Sequence, residues 1–342
     1  MDHQSATAPL LDVRDLRTWF HTFSGTVKAV DGVSFTLAPG EVMGLVGESG
    51  GGKSVVGFSL LGLIDPPGRI EGGEILLDGE DIARASEERL RRIRGREIAM
   101  IFQDPMTSLN PVKTVGAQMD EMLRLHTDLD EGARKARCVA MLESVGISRA
   151  AERLRAYPHQ FSGGMRQRVV IAIALLASPR LIVADEPTTA LDVTIQSQIL
   201  KLMRKRIAET GAAMILVTHD LAVVSEMVDK IVVLYCGRVV ETGPAREVIA
   251  NPSHPYTRGL VDSIPNPKHR KPRLAQIPGA VPDIRNLPSG CSFRPRCPRA
   301  QARCAEVSPA LAPTRGTLSA ACHFPILEEV AAAMATTGGE RA

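Results

Sequence analysis

No apolar run in this chain of 342 residues approaches the roughly 18–20 residues needed to span a bilayer. The longest, Val169 to Ala177, has nine and reads as a buried helix. A chain without spans cannot form a pore by itself. Charge of one sign is also missing. With 41 Lys and Arg against 38 Asp and Glu, the net charge of +3 implies no strong polyanion field. The opening residues Met1-Asp2-His3-Gln4-Ser5 lack the basic start and apolar core of a secretory signal, so intracellular residence is expected. Disulfides are not expected there. There is no internal repeat, and no two cysteines stand at the short Cys-x2–4-Cys spacing usual in structural zinc sites.

What is present is phosphate chemistry. Gly47-Glu48-Ser49-Gly50-Gly51-Gly52-Lys53-Ser54 matches the G-x-x-x-x-G-K-[ST] phosphate loop in full. It follows an apolar strand run, Glu41 to Val46, and opens onto a helical run from Val55 to Leu61. The glycines let the backbone turn tightly and point several N–H groups at one anion. The helix that follows adds the positive end of its dipole. Lys53 can reach the β- and γ-phosphates, and the Ser54 hydroxyl can ligate Mg²⁺. The loop therefore predicts binding of a nucleoside triphosphate.

Periodicity organises the rest. Leu11–Leu16 and Val33–Leu37 alternate as strands, and Asp78-Gly79 marks a hairpin turn. Ile98–Phe102, Leu181–Ala184 and Met214–Val217 read as buried strands. Helical spacing runs from Thr114 to about Ala156, again after Ser162, and from about Val193 to Glu209. The alternation predicts an α/β fold, a mainly parallel sheet flanked by helices, with a helical block near 104–170 that looks inserted. Past Asn251 prolines become frequent, which places a domain boundary near 250. The last residues, about 331–342, are rich in Ala, Thr and Gly and read as a disordered tail.

Two further motifs fit the same chemistry. Asp185-Glu186 closes an apolar strand, and successive side chains on an extended chain diverge, so the two carboxylates can take different roles. Asp185 suits Mg²⁺ coordination through water, and Glu186 suits polarising the attacking water. Ser162-Gly163-Gly164 opens a helix with exposed N–H groups and a hydroxyl, which makes it a second anion site.

Taken in order, the phosphate loop, Gln103, Ser162-Gly163-Gly164, Asp185-Glu186, Ala190-Leu191-Asp192 and His219 resemble the ATP-binding cassette (ABC) ATPase family over residues 10 to about 250. The resemblance implies a P-loop NTPase core with an N-terminal antiparallel β part and an inserted helical subdomain. It implies that Gln103 contacts Mg²⁺ and senses the γ-phosphate, that His219 hydrogen-bonds the γ-phosphate, and that Asp192 organises the interface between two ATPase domains. Two such domains sandwich ATP head to tail, the phosphate loop of one facing the signature turn of the other. The usual signature ends in Gln where this chain has Met165. An aromatic upstream of the loop stacks on adenine in this family; Phe23 is the candidate, with Trp19 and Phe20 nearby.

Four of the six cysteines, Cys291, Cys297, Cys304 and Cys322, crowd into the C-terminal region with five, six and seventeen residues between them. Four thiolates so spaced suit zinc or an iron–sulfur cluster. Cys138 and Cys236 read as core or turn residues. Asn251–Leu260 and Phe102–Pro111 resemble the ATPase subunits of bacterial dipeptide, oligopeptide and nickel importers. In that branch a cysteine-bearing extension, here about 251–330, can carry a [4Fe–4S] cluster, with zinc the alternative. The branch implies a second, related ATPase subunit, two integral-membrane permease subunits and an extracytoplasmic substrate-binding protein. It places the chain at the cytoplasmic face of the inner membrane as a peripheral subunit. Met106–Pro111 would receive the coupling helices of the permeases. The extension is basic but lacks interleaved aromatics, so no nucleic-acid partner is expected. The competing reading is a soluble ABC-family ATPase acting on DNA.

Overall fold

The computed structural model describes residues 8–188, 191–264 and 276–327. Pro265, Pro267, Pro272, Ala190 and the expected tail lie outside them.

Two sheets make the frame. The smaller is antiparallel, in the order β2 (Gly25–Leu37), β1 (Leu11–Thr22), β4 (Gly68–Leu77), β5 (Glu80–Asp81). The register runs Leu11↔Leu37 and Leu11↔Leu77, and Asp78-Gly79 turns β4 into β5 with both φ angles positive (50° and 85°). The larger sheet has a parallel centre: β9 (Lys230–Tyr235), β3 (Val42–Val46), β8 (Ala213–Thr218), β7 (Leu181–Asp185) and β6 (Ile98–Ile101). Its far side continues antiparallel through β10 (Arg238–Pro244), β12 (Ser319–Ala320) and β11 (Ala312–Pro313).

Apart from Lys230, Asp185 and Thr218 at their ends, the central strands are apolar because both faces are covered. Val42, Val46, Ile182, Ala184, Met214, Leu216, Ile231 and Val233 face one core, together with the helical subdomain. Their neighbours Met43, Leu45, Leu181, Val183, Ile215, Val217, Val232 and Leu234 face the other, beneath the antiparallel sheet. The period of two thus separates two apolar layers.

The run from Thr114 to Ala156 is not one helix but three: Val115–His126, Glu131–Ser144 and Ala150–Arg153. Thr114 and Asp130 cap the first two, accepting from the N–H groups of Ala117 and Ala133. Gly146 (φ +79°) ends the second, and the broken run folds back on the helix Gly163–Leu176.

The C-terminal extension is built onto the cassette rather than beside it. Its strand β12 pairs with β10 (Glu241↔Ala320), and Tyr256, Phe293 and Leu318 belong to the same core as the central strands. Buried Glu241 of β10 accepts from the N–H groups of Ser253 and His254 at 2.6 and 2.9 Å, which anchors the start of the helix Pro255–Asp262.

Candidate functional site

The phosphate loop leaves β3 and runs into the helix Lys53–Leu60. Two of its glycines are required by their neighbours. At Gly47 (φ +154°) an added Cβ would stand 2.2 Å from the Leu234 carbonyl oxygen, and at Gly52 (φ +94°) 2.2 Å from that of Ala29. Gly50 (φ +78°) has open space around it. Lys53 is buried and donates to the carbonyl oxygens of Gly47 and Glu48 at 2.9 and 3.0 Å. Burial lowers its ammonium pKa, opposed by the carboxylates of Glu186, Asp185 and Glu48. The loop and its lysine therefore form one unit whose positive charge is held close to the turn.

The strand end beside it carries the carboxylates. Ser54 Oγ donates to Asp185 Oδ1 at 3.1 Å. Burial raises the Asp185 pKa, and the Ser54 hydrogen bond works in the opposite direction. A buried carboxylate beside the loop hydroxyl is the donor set that suits Mg²⁺. Glu186 leaves the strand with φ +44°, which turns its side chain away from that of Asp185. Gln103, just past β6, donates from Nε2 to Glu186 Oε2 at 3.1 Å, and His219, just past β8, lies 3.0 Å from Oε1 through Nδ1. Three parallel strands end side by side, so residues separated by 83 and 33 positions meet at one carboxylate.

The signature turn lies elsewhere, on the helical subdomain. Ser162 caps the helix Gly163–Leu176, its Oγ accepting from Met165 N–H at 3.4 Å. Ser162 and Gly163 are exposed, and a Cβ at Gly163 would meet nothing within 4 Å. At Gly164 it would stand 3.1 Å from Ile195 Cγ2. The turn thus presents open backbone to solvent, with Met165 half-buried behind it. Asp192 caps the helix Val193–Thr210 through Ile195 N–H at 2.9 Å. Phe23 is fully exposed at the tip of the β1–β2 hairpin, whereas Trp19 is half-buried under Lys28 Nζ at 4.4 Å.

The four C-terminal cysteines come together. Cys291, Cys297, Cys304 and Cys322 line one small cavity with Arg294 and Arg299, and the Cys291 N–H donates to the Cys304 carbonyl at 2.8 Å. Burial raises the pKa of Cys291 and Cys297 and takes Cys322 to about 11, so as folded these are thiols. Among the described residues no group of three or more His, Cys, Asp or Glu is placed to hold a metal ion. The four cysteines thus share a cavity, but the expected iron–sulfur or zinc site is not preformed among the described residues. Cys138 and Cys236 are buried thiols taken to about 11, in a helix and in the β9–β10 turn.

Two residues that the motifs did not single out as part of the site reach the phosphate loop from the extension. Glu48 N–H donates to Tyr256 Oη at 2.7 Å, and the Glu48 carboxylate pairs with Arg296. They lie 208 and 248 positions from Glu48, beyond any local spacing rule.

Residues 30–189 match the ABC transporter family, and residues 240–304 match the oligopeptide/dipeptide transporter C-terminal region. The dipeptide transport ATP-binding protein DppD of Escherichia coli (strain K12) is 47% identical over 317 residues, covering 93% of this chain and 97% of its own. Among solved structures, cbiO1 from Clostridium perfringens, part of the ABC transporter complex cbiONQ, has a TM-score of 0.61 at 29% identity, over 71% of this chain and 92% of its own. The ATP-binding cassette MJ0796, in a dimeric post-hydrolysis state bound to ADP and Pi, has a TM-score of 0.62 at 26% identity, over 69% of this chain and 99% of its own. No helix among the described residues is long and apolar enough to cross a membrane. With a nucleotide cassette and a peptide-transporter C-terminal region joined in one chain, the protein belongs to the ABC transporter ATP-binding family, in its oligopeptide/dipeptide branch.

Proposed function

We propose that the chain is the ATP-hydrolysing subunit of a peptide importer, docked on membrane subunits that it powers from the cytoplasmic face. The observation that carries the hydrolytic reading is the meeting of Gln103, Glu186 and His219 beside Lys53, Ser54 and Asp185. In this reading the loop amides and Lys53 hold the phosphates. Ser54, Asp185 and Gln103 would hold Mg²⁺, which supplies charge neutralisation at the phosphates when bound. Glu186 takes the proton of the attacking water, and His219 and Gln103 keep its carboxylate aimed. Phe23 or Trp19 would stack on adenine.

The exposed signature turn Ser162–Gly164 supports a second ATPase subunit, whose nucleotide it would cap. ATP then contributes contacts to both halves only in the closed pair, so it shifts the population toward closure. The MJ0796 relative, dimeric with ADP and Pi, is consistent with this arrangement. The name of DppD favours dipeptides as cargo; a permease pair and an extracytoplasmic binding protein would select them.

An apolar cavity of about 260 Å³ is lined by Leu61, Leu63, Phe102, Leu109, Met122 and Val170. Phe102 is exposed there, and Ser108 and Leu109 bring the expected transmission segment to its rim. This groove suits an apolar helix from a membrane subunit. The DNA-directed alternative has no finding in its favour.

A [4Fe–4S] cluster at Cys291, Cys297, Cys304 and Cys322 is the finer part of the proposal. Four thiols on one cavity, with Arg294 and Arg299 to balance thiolate charge, support it. Cys291, Cys297, Cys304 and Cys322 would hold the cluster, which when bound would cross-link the extension.

The test is affinity purification of the chain from native membranes. Co-purifying permeases and ATP turnover stimulated by them are expected. Phe102→Asp should release the permeases while leaving ATP binding intact. Stimulation by DNA instead of by permease-bearing membrane overturns the reading.

A further inference from the structure

Glu48, the second residue of the phosphate loop, is gripped at two points by the C-terminal extension. Arg296 donates from Nη1 to Glu48 Oε2 at 2.5 Å and from Nη2 to Oε1 at 2.9 Å, the paired fork of a guanidinium on a carboxylate. Its side chain is only 3% exposed, and Nε donates to the Pro278 carbonyl at 3.0 Å, so the guanidinium cannot swing. The rings of Tyr235 and Phe293 lie 5.9 and 6.0 Å away. Independently, the Glu48 N–H donates to Tyr256 Oη at 2.7 Å. Tyr256 is buried, its ring 4.6 Å from that of Tyr235 and 5.4 Å from that of Phe293.

These contacts act on the stretch that Lys53 also uses, since Lys53 Nζ donates to the carbonyls of Gly47 and Glu48. The loop binds phosphate through amides that must point at one spot, so its shape is its affinity. A loop ordered before the nucleotide arrives leaves no ordering cost to the binding step; a loop that orders on binding weakens it. The side chain of Glu48 is 29% exposed, so it does not fix itself by burial. It is the extension that fixes it.

We propose that Arg296 is a positioning residue of the nucleotide site: by clamping Glu48, with Tyr256 on the adjoining amide, the extension holds the phosphate loop in its phosphate-binding shape. The proposal rests on the reading that this loop binds ATP, and it gives the extension a part in that binding which the cassette motifs do not contain.

The test compares full-length wild type, Arg296→Met, Arg296→Lys and Tyr256→Phe for MgATP affinity, and for KM and kcat in the membrane-assembled complex. Arg296→Met should weaken MgATP binding by on the order of tenfold, the loss of a buried ion pair discounted for the exposure of Glu48. It should raise KM by a larger factor than it lowers kcat. Arg296→Lys, which keeps the charge and loses the fork, should fall between it and wild type. Tyr256→Phe, which removes only the acceptor for Glu48 N–H, should weaken binding about threefold.

A folded Arg296→Met protein that binds MgATP within twofold of wild type overturns the proposal. If Arg296→Met fails to fold, Tyr256→Phe decides, and an affinity within twofold of wild type overturns it equally. Wild type run alongside separates the two layers. Absence of saturable MgATP binding by wild type refutes the ATPase reading itself, whereas saturable binding indifferent to these substitutions refutes only the clamp.

Discussion

Glu186→Gln is the substitution that isolates proton transfer from everything else at the site. Both carboxylate oxygens are engaged, Oε2 by Gln103 Nε2 at 3.1 Å and Oε1 by His219 Nδ1 at 3.0 Å. A glutamine has the same shape, and its oxygen can still accept from Gln103. Its N–H₂ can donate to His219 Nδ1 in the tautomer that leaves that nitrogen free. The side chain is 13% exposed, so no new surface opens. What disappears is the proton acceptor. General-base catalysis contributes about 10²–10⁴ in rate, which at about 1.36 kcal/mol per decade is about 2.7–5.4 kcal/mol of barrier. In the proposed reading Lys53, Ser54 and the loop amides hold the phosphates, so ATP affinity should change by less than about threefold. In the assembled complex, single-turnover hydrolysis should therefore fall by two decades or more while ATP stays bound and the ATPase pair stays closed. Hydrolysis within tenfold of wild type refutes the base assignment.

Three further outcomes follow from the same geometry. Burial raises the Asp185 pKa, so its ionised form costs stability above the raised value and costs nothing below the ordinary carboxylate range. Asp185→Asn should then raise the urea midpoint of the nucleotide-free chain at neutral pH, and the gain should vanish as pH falls through that window; a pH-independent difference contradicts this. Gly52→Ala meets the Ala29 carbonyl at 2.2 Å, whereas Gly50→Ala meets nothing. Both carry about 1–2 kcal/mol of left-handed strain, and Gly52→Ala should lose about 1–3 kcal/mol more in denaturation; equal losses contradict the contact. Anaerobically purified protein should show broad visible absorbance and bound iron that Cys297→Ser abolishes. Colourless wild type holding stoichiometric zinc excludes the cluster.

The legible part of this protein is the part made of neighbours in sequence. Gly47–Ser54, Ser162–Gly164 and Asp185-Glu186 each carry the chemistry proposed for them within a few residues, because a turn and the helix or strand attached to it are locally encoded. Four of the five central strands were legible for a similar reason, being largely apolar as strands covered on both faces are, whereas β9 was not read from the sequence. The helical block was legible as helix but not as three helices, since the breaks at Thr127–Asp130 and Gly146 depend on caps that only packing makes necessary. In the sequence Arg296 is one of several basic residues of the extension with nothing to set it apart, yet it is buried against Glu48.

Sequence alone thus determined the nucleotide chemistry, the layered α/β plan and the family, all of which rest on short segments and their order. Tertiary structure alone decided which side chains share a site. Gln103 and His219 meet Glu186 because their strands lie parallel and end together. Arg296 and Tyr256 meet Glu48 because the extension folds back over the sheet edge through Glu241 and β12. The physical reason is the same in both cases: period and motif describe a chain's local conformational preferences, whereas contacts across 208 or 248 positions exist only once apolar burial has closed the loops between them.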